Sequence, residues 1–360
     1  MRKLLCGLCA VLAIAGCDNQ KSDKPVVKIG GVLPLTGGAA QMGTAAQNGA
    51  IMAVEQLNKN TQNKYKYEFI AEDMGLASAK TVSIYTKLVK IDNVAGIVSF
   101  NTATGKIIKP LADKDRVLHI SSAADSSIGD NKFNYVNSYS VRDASQKLVD
   151  YMKFKNMKTI SLVTFNHVSS EFILQTLQPV LKANNIKVLS VVRVNMEQRD
   201  FASDAAKIVK NKPDMVFVHL VEPALSLFAK QMLRDEYSSE LSSFLIFAFT
   251  ENPELFNNQP FVDLKNADDE FNTTYSKRFK SAPQAASINT YDSVMLIANF
   301  IEKYGLPMNQ NDDDMAKNIK QISTEYTSPR GKMQIDADGL IYSETTIKKM
   351  ENGRPVAIKE

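Results

Sequence analysis

Cysteine is scarce in this 360-residue chain, and its three copies, Cys6, Cys9 and Cys17, all fall within the first seventeen positions. Beyond Cys17 no internal disulfide is possible, so burial of an apolar core must hold the fold. Histidine is as rare: His119, His167 and His219 stand far apart, and none has the spacing of a zinc motif such as H-E-x-x-H. His119 and His219 lie between apolar neighbours in strand-like runs, where packing is the default reading. A G-x-S-x-G elbow, a P-loop and a cysteine nucleophile are also missing; Lys106 follows Gly105 without the upstream glycine spacing. These absences argue against an enzyme, and they leave no candidate for a metal or other cofactor.

Long apolar runs are missing too. The stretch from Leu4 to Ile14 falls short of the roughly 20 residues that span a bilayer as a helix. It follows Arg2 and Lys3 and precedes the small Ala15 and Gly16, which is the order of an export signal over residues 1–16. Ile14-Ala15-Gly16-Cys17 resembles the bacterial lipobox, whose cysteine becomes the lipidated first residue of the mature chain. The alternative is an ordinary secretory signal with an incidental cysteine. The resemblance implies a periplasmic protein held to a membrane through Cys17, and Asp18 resembles an inner-membrane retention signal of Gram-negative bacteria. Formal charge falls from +4 once Arg2 and Lys3 are lost, so nothing points to nucleic acid.

Residues 17–25 are polar and aperiodic, a tether. From Val26 short β-branched runs alternate with helical periodicity, the pattern of βα units around parallel sheets. Strands are expected at 26–32, 65–71, 95–99 and 117–120, with helices at 44–57, 78–89 and 104–112. The alternation restarts near Val141. Strands at 159–165, 187–192, 215–219 and 244–249 are separated by helices at 169–183, 201–209 and 224–233. Helices then dominate at 269–279, 289–304 and 315–322, before short strands return beyond Pro329. The acidic cluster Asp312 to Asp314 reads as a solvated helix start with no binding role. The expected fold is therefore α/β, with two doubly wound lobes and crossovers near Val141, Gln259 and Pro329. Residues 26–141 and 260–328 would form the first lobe, and 142–259 and 329–360 the second. In such sheets ligands bind beyond the carboxyl ends of the strands.

Three loops at those ends carry candidate residues. Thr36, Gly37 and Gly38 follow the first strand, where glycines let the backbone approach a ligand and free amides favour anions. Thr102 and Thr104 follow the third expected strand; each reads equally as a plain helix cap. Ser121-Ser122-Ala123-Ala124-Asp125 follows the fourth. Asp125 accepts hydrogen bonds only, so it suits an ammonium or a turn cap and not a carboxylate.

The run Pro34 to Gly43, then Asn48-Gly49-Ala50, Asp200-Phe201, Pro213-Asp214, Tyr291-Asp292 and Ser328-Pro329-Arg330-Gly331, resembles the Leu/Ile/Val-binding family of periplasmic type I solute-binding proteins. That family supplies receptors for ABC importers. The resemblance implies a ligand enclosed between the lobes by hinge closure, an inner-membrane ABC permease as partner, and a monomer. It aligns Thr102 with a carboxylate-binding hydroxyl, Ala123 with a carbonyl contact and Asp125 with the family's threonine. Met42 and Ser169 fall where the family often places aromatics, Glu251 falls near its acidic ammonium partner, and Glu222 follows the strand at 215–219. The expected ligand is an amino acid or a related small polar solute, its carboxylate on Thr102 and the Thr36 loop and its ammonium on Glu251 or Asp125. Phe100 and Phe165 motivate a second choice, an aromatic or aliphatic carboxylate. A regulatory or sensory lipoprotein on the same fold is the alternative function.

Overall fold

Parallel strands alternating with helices build the first sheet of the computed structural model, which describes residues 24–75, 78–235, 237 and 239–358. The expected export signal, Cys17, Asp18 and most of the expected tether lie outside the described residues. β1 (Val26–Leu33), β2 (Lys66–Asp73), β3 (Gly96–Phe100), β4 (Leu118–Ser122) and β5 (Asn134–Ser138) are joined through α1 (Ala40–Lys59), α2 (Thr81–Thr86) and α3 (Thr102–Asp115). The parallel order β2-β1-β3-β4-β5 reverses direction at β1, the switch point where ligands bind in such sheets. Because helices cover both faces, β1 is buried almost continuously instead of alternating.

The second lobe repeats the plan. α4 (Val141–Phe154), β6 (Thr159–Phe165), α5 (Val168–Ala183), β7 (Lys187–Val194), α6 (Ala202–Asn211), β8 (Met215–His219), α7 (Ala224–Arg234) and β9 (Glu240–Ser242) give a parallel sheet in the order β7-β6-β8-β9. β10 (Pro260–Leu264) follows, then α8 (Asp269–Phe279), α9 (Ala285–Tyr304) and α10 (Asp312–Glu325). Six short strands end the chain: β11 (Thr327–Ser328), β12 (Gly331–Lys332), β13 (Gln334–Ile335), β14 (Leu340–Tyr342), β15 (Thr345–Glu351) and β16 (Arg354–Ala357).

Long-range pairing moves two of the expected lobe boundaries. β10 pairs antiparallel with β15, and Val262 bridges to Phe244 beside β9, so residues 260–264 belong with the second lobe. β14 pairs parallel with β5 and carries β13 outward, so residues 334–342 extend the first sheet. The chain passes between lobes near 139–140, 265–268 and 343–344, and the last two passages are tied by the Lys265 amide on the Glu344 carbonyl at 3.0 Å.

The expected strand at 244–249 is instead a one-turn 3-10 helix, Ile246–Phe249, entered through Leu245 at φ 61°. Its apolar run is buried for a different reason, with Phe247 packed on Phe256 and Phe261 at centroid distances of 4.4 and 5.7 Å. An apolar run of that length does not by itself separate strand from buried turn. Asp312 to Asp314 open α10 behind an Asn311 cap, and Asp312 pairs with Arg116 and Lys132 at 3.2 Å each. His119 is fully buried between Ser99 Oγ and Asn134 Oδ1, both at 2.8 Å, as the packing reading expects. Among the described residues, no helix is long and apolar enough to cross a membrane.

Candidate functional site

The carboxyl ends of β1, β3, β4 and β5 face those of β6, β7 and β8, and a cavity of about 190 Å³ lies between them. Apolar packing continues across the cleft: Leu33, Met42, Tyr139, Ala285 and Ala286 of the first lobe join one cluster with the core of the second. Gln284 Nε2 also donates to the Ala248 carbonyl across it, at 2.9 Å. Phe100, Tyr139, Phe165, Phe244 and Phe249 give the wall of the cavity an aromatic character.

Two features set its electrostatics. First, the lining among the described residues contains no Asp, Glu, Lys or Arg side chain. Second, four helices begin there. Ala39 stands at the start of α1, Thr102 opens α3, Ser169 and Ser170 lie in the first turn of α5, and Ala285 and Ala286 open α9. Helix N-termini carry partial positive charge and orphan amides, each stabilising a nearby anion by roughly 0.3–1 kcal/mol. The wall thus favours negative charge without holding a cation.

Backbone strain marks the same wall. Asn101, at φ 69° and ψ 159°, occupies a region almost reserved for glycine, and it caps α3 by accepting the Thr104 amide at 2.9 Å. Leu245, also in the lining, has φ 61°. Strain of this kind costs on the order of 1–3 kcal/mol per residue and collects at ligand sites.

Of the ten residues singled out from sequence, Met42, Thr102, Ala123 and Ser169 line the cavity, and six do not. Thr36 is exposed and bound to Asp73, its hydroxyl donating at 2.6 Å and its amide at 3.2 Å, and of its loop Pro34 and Ala39, not Thr36, line the cavity. These bonds, the hydroxyl's foremost, hold the Asp73 carboxyl below its ordinary range. Gly37 serves the turn, with φ 79°. Thr104 is buried behind the wall, its hydroxyl on Met74 Sδ at 3.2 Å.

The three acidic candidates are already satisfied or lie elsewhere. Asp125 is buried, pairs with Lys106 Nζ at 2.5 Å and accepts the Ser127 amide at 2.9 Å, which is its capping role. Burial alone would raise its pKa, but Lys106 and Ser127 outweigh that and lower it. Glu222 is buried and accepts from the Ser226 and Thr250 hydroxyls, both at 2.8 Å, and from the Glu251 amide at 3.2 Å. Glu251 itself is exposed and outside the lining.

Sequence reasoning missed Asn101, Tyr139, Ala285, Ala286 and Asn289, and it took His219 for packing although it lines the cavity. The Asn289 carbonyl accepts from Asn137 Nδ2 at 2.9 Å, and its Oδ1 accepts from the buried Arg330 Nη1 at 2.5 Å. An early turn of α9 is therefore fixed by polar groups beneath the cavity. The available signal was Pro283 before an apolar helix, which marks a helix start earlier than residue 289.

The profile of a family described as periplasmic binding protein matches residues 26–353. Among solved structures, a solute-binding protein of an R. palustris ABC transporter in complex with benzoate superposes with a TM-score of 0.81 at 16% identity, covering 92% of this chain and 95% of that one. A leucine-binding protein, LivK, from Thermotoga maritima gives 0.81 at 17% identity, covering 92% and 98%. The branched-chain amino acid binding protein LivJ from Streptococcus pneumoniae, in complex with isoleucine, gives 0.81 at 20% identity, again covering 92% and 98%. No curated protein matches this chain by sequence.

Proposed function

Because this chain belongs to the periplasmic binding protein family of the Leu/Ile/Val-binding type, a family of extracytoplasmic solute receptors and not of enzymes, we propose that it serves an ABC importer by capturing a small apolar carboxylate. The ligand is an aromatic or aliphatic acid without an α-ammonium group. The observation that carries this reading is the wall itself, with four helix N-termini and, among the described residues, no Asp, Glu, Lys or Arg side chain. An anion is stabilised there, whereas an ammonium taken from water would meet no carboxylate, at a cost of several kcal/mol. Asp125 and Glu222 are occupied by their own partners, so neither answers that need.

The amino acid placed first by sequence therefore gives way to the second choice. The benzoate bound by the R. palustris protein has this chemistry, and the aromatic side chains of the cavity wall suit such a body. Contacts from both lobes to one ligand favour the closed form, the form a permease would recognise. Lipidated Cys17 would keep the receptor beside its inner-membrane partner.

The Thr102 hydroxyl, whose oxygen accepts the Asp125 amide at 3.4 Å, keeps its proton to donate. In a thermal-shift screen, simple aryl and alkyl carboxylates are expected to raise the melting temperature. Thr102→Ala is expected to weaken their binding by about 1–3 kcal/mol in calorimetry, the range for removing one partner of a buried charged acceptor. Unchanged affinity in the variant would remove Thr102 from the site, and a screen in which no carboxylate stabilises the protein would refute the reading.

A further inference from the structure

Polar atoms shut away from water are nearly always hydrogen-bonded in folded proteins, and an exception asks for a partner. Among the described residues, Thr164 Oγ1, Ser169 Oγ, His219 Nδ1, Ser242 Oγ and Ser243 Oγ are buried without one, all at or just beyond the carboxyl ends of β6, β8 and β9. Thr164 and His219 are register partners on adjacent parallel strands, so their side chains share one face of the sheet. Ser169 lies in the first turn of the helix that follows β6. Ser169 and His219 both line the cavity, with His167 beside them.

The cluster carries no charge. Burial holds both imidazoles below the ordinary histidine range, His219 down to about 4 with His167 adding to the effect, so both are neutral near pH 7. His167 Nδ1 accepts the Ser169 amide at 3.3 Å, which leaves its proton on Nε2. Neutral imidazole and serine hydroxyl together offer donors and acceptors at one place. A ligand hydroxyl both donates and accepts, and so matches them. A methyl group there would leave His219 Nδ1 and Ser169 Oγ unpaired.

Resting on the reading of the cavity as a site for an apolar carboxylate, we propose that His219 and Ser169 form a second polar subsite, which takes a hydroxyl group at the end of the ligand away from its carboxylate. The ligand class is thereby narrowed to hydroxylated aromatic or aliphatic acids. The two subsites belong to opposite walls, Thr102 to the first lobe and His219 with Ser169 to the second. The hydroxyl is read when the lobes meet around the ligand.

The test is calorimetry of the mature protein with benzoate, 3-hydroxybenzoate, 4-hydroxybenzoate and 4-methylbenzoate, repeated on His219→Leu and Ser169→Ala. The quantity read is the affinity ratio of the better hydroxybenzoate to 4-methylbenzoate within each protein, which is insensitive to any general loss of affinity. The expected ratio is at least tenfold in the unaltered protein and within threefold in His219→Leu; Ser169→Ala provides a second reading should the first variant fold poorly. A ratio near one in the unaltered protein, with the benzoates still bound, overturns the subsite and leaves the carboxylate reading standing. A large ratio that survives both substitutions also overturns it. Failure of every benzoate to bind overturns this inference, and the carboxylate reading falls with it only if alkyl carboxylates also fail to raise the melting temperature.

Discussion

Arg330→Met is expected to lower the unfolding free energy by roughly 3–5 kcal/mol and to weaken ligand binding in whatever protein remains folded. Arg330 lies buried between β11 and β12, and its guanidinium joins this hairpin to a passage between the lobes and to α9. Nε donates to the Lys265 carbonyl at 3.0 Å, in a passage between the lobes. Nη1 donates to Asn289 Oδ1 at 2.5 Å, and Nη2 reaches the Ala285 carbonyl at 3.5 Å. Methionine keeps the apolar volume but strands the buried acceptors Asn289 Oδ1 and the Ala285 carbonyl, each at roughly 1–3 kcal/mol. Binding falls because Asn289 and Ala285 line the cavity and lose the group that orients them.

A pH signature accompanies this loss. Burial raises the Asp292 pKa to about 6, offset in part by the Tyr326 hydroxyl, the Arg330 charge and the Ser328 hydroxyl. A carboxyl raised above its unfolded value favours the folded state at low pH and disfavours it as pH rises through the folded pKa. Without Arg330 the Asp292 charge is still less favoured, so the deficit of Arg330→Met is expected to be largest at pH 7 and smaller at pH 5. Urea unfolding at the two pH values measures both effects. A variant within about 1 kcal/mol of the unaltered protein at pH 7 would show that Arg330 is dispensable.

Gly49→Ala is the second substitution with a large expected effect, and its sign separates two arguments. Helix propensity alone predicts a gain of about 1 kcal/mol for replacing glycine inside α1. Packing predicts the reverse. An added Cβ would overlap the Ser287 carbonyl oxygen and stand 2.7 Å from its carbon, in the first turn of α9. Backbone cannot rotate away as a side chain does, and α9 is buried along most of its length. A loss of about 3 kcal/mol or more is expected, at the upper end for overpacked cores. Because the same turn of α9 presents Ala285 and Ala286 to the cavity, affinity should fall with stability. A stabilised variant would mean that α1 and α9 separate at little cost.

Much of the fold was legible because parallel strands buried on both faces read as apolar runs: β1, β3, β4, β6 and β8 all fall where such runs predict them. β5 was missed, since Asn134 to Ser138 is polar in sequence although wholly buried. The restart of the alternation near Val141 marks α4 only as a boundary; Ser140, which accepts the Asp143 amide at 3.2 Å, is the helix cap that marks its start. The lobe assignments of β10 and of 334–342 rest on pairings to distant strands, which local periodicity does not encode.

The site was legible by position and not by charge. Loops at strand ends supplied Thr102 and Ala123, and the family resemblance supplied Met42 and Ser169; all four line the cavity at the carboxyl ends of the strands. Asp125, Glu222 and Glu251 drew attention as carboxylates, but sequence does not disclose that Lys106 pairs with the first or that Ser226 and Thr250 satisfy the second. His219 sits at the end of a strand, where one position decides between packing and lining.

The most direct test of the central claim compares acids that differ only by the ammonium group. Calorimetry of the mature protein with 4-methylpentanoate against leucine, and with 3-phenylpropanoate against phenylalanine, isolates that difference. The absence of an acidic side chain from the lining among the described residues predicts that the simple acid of each pair binds at least about a hundredfold more tightly, a difference of about 2.7 kcal/mol. Leucine or phenylalanine binding as tightly as its deaminated counterpart would contradict it.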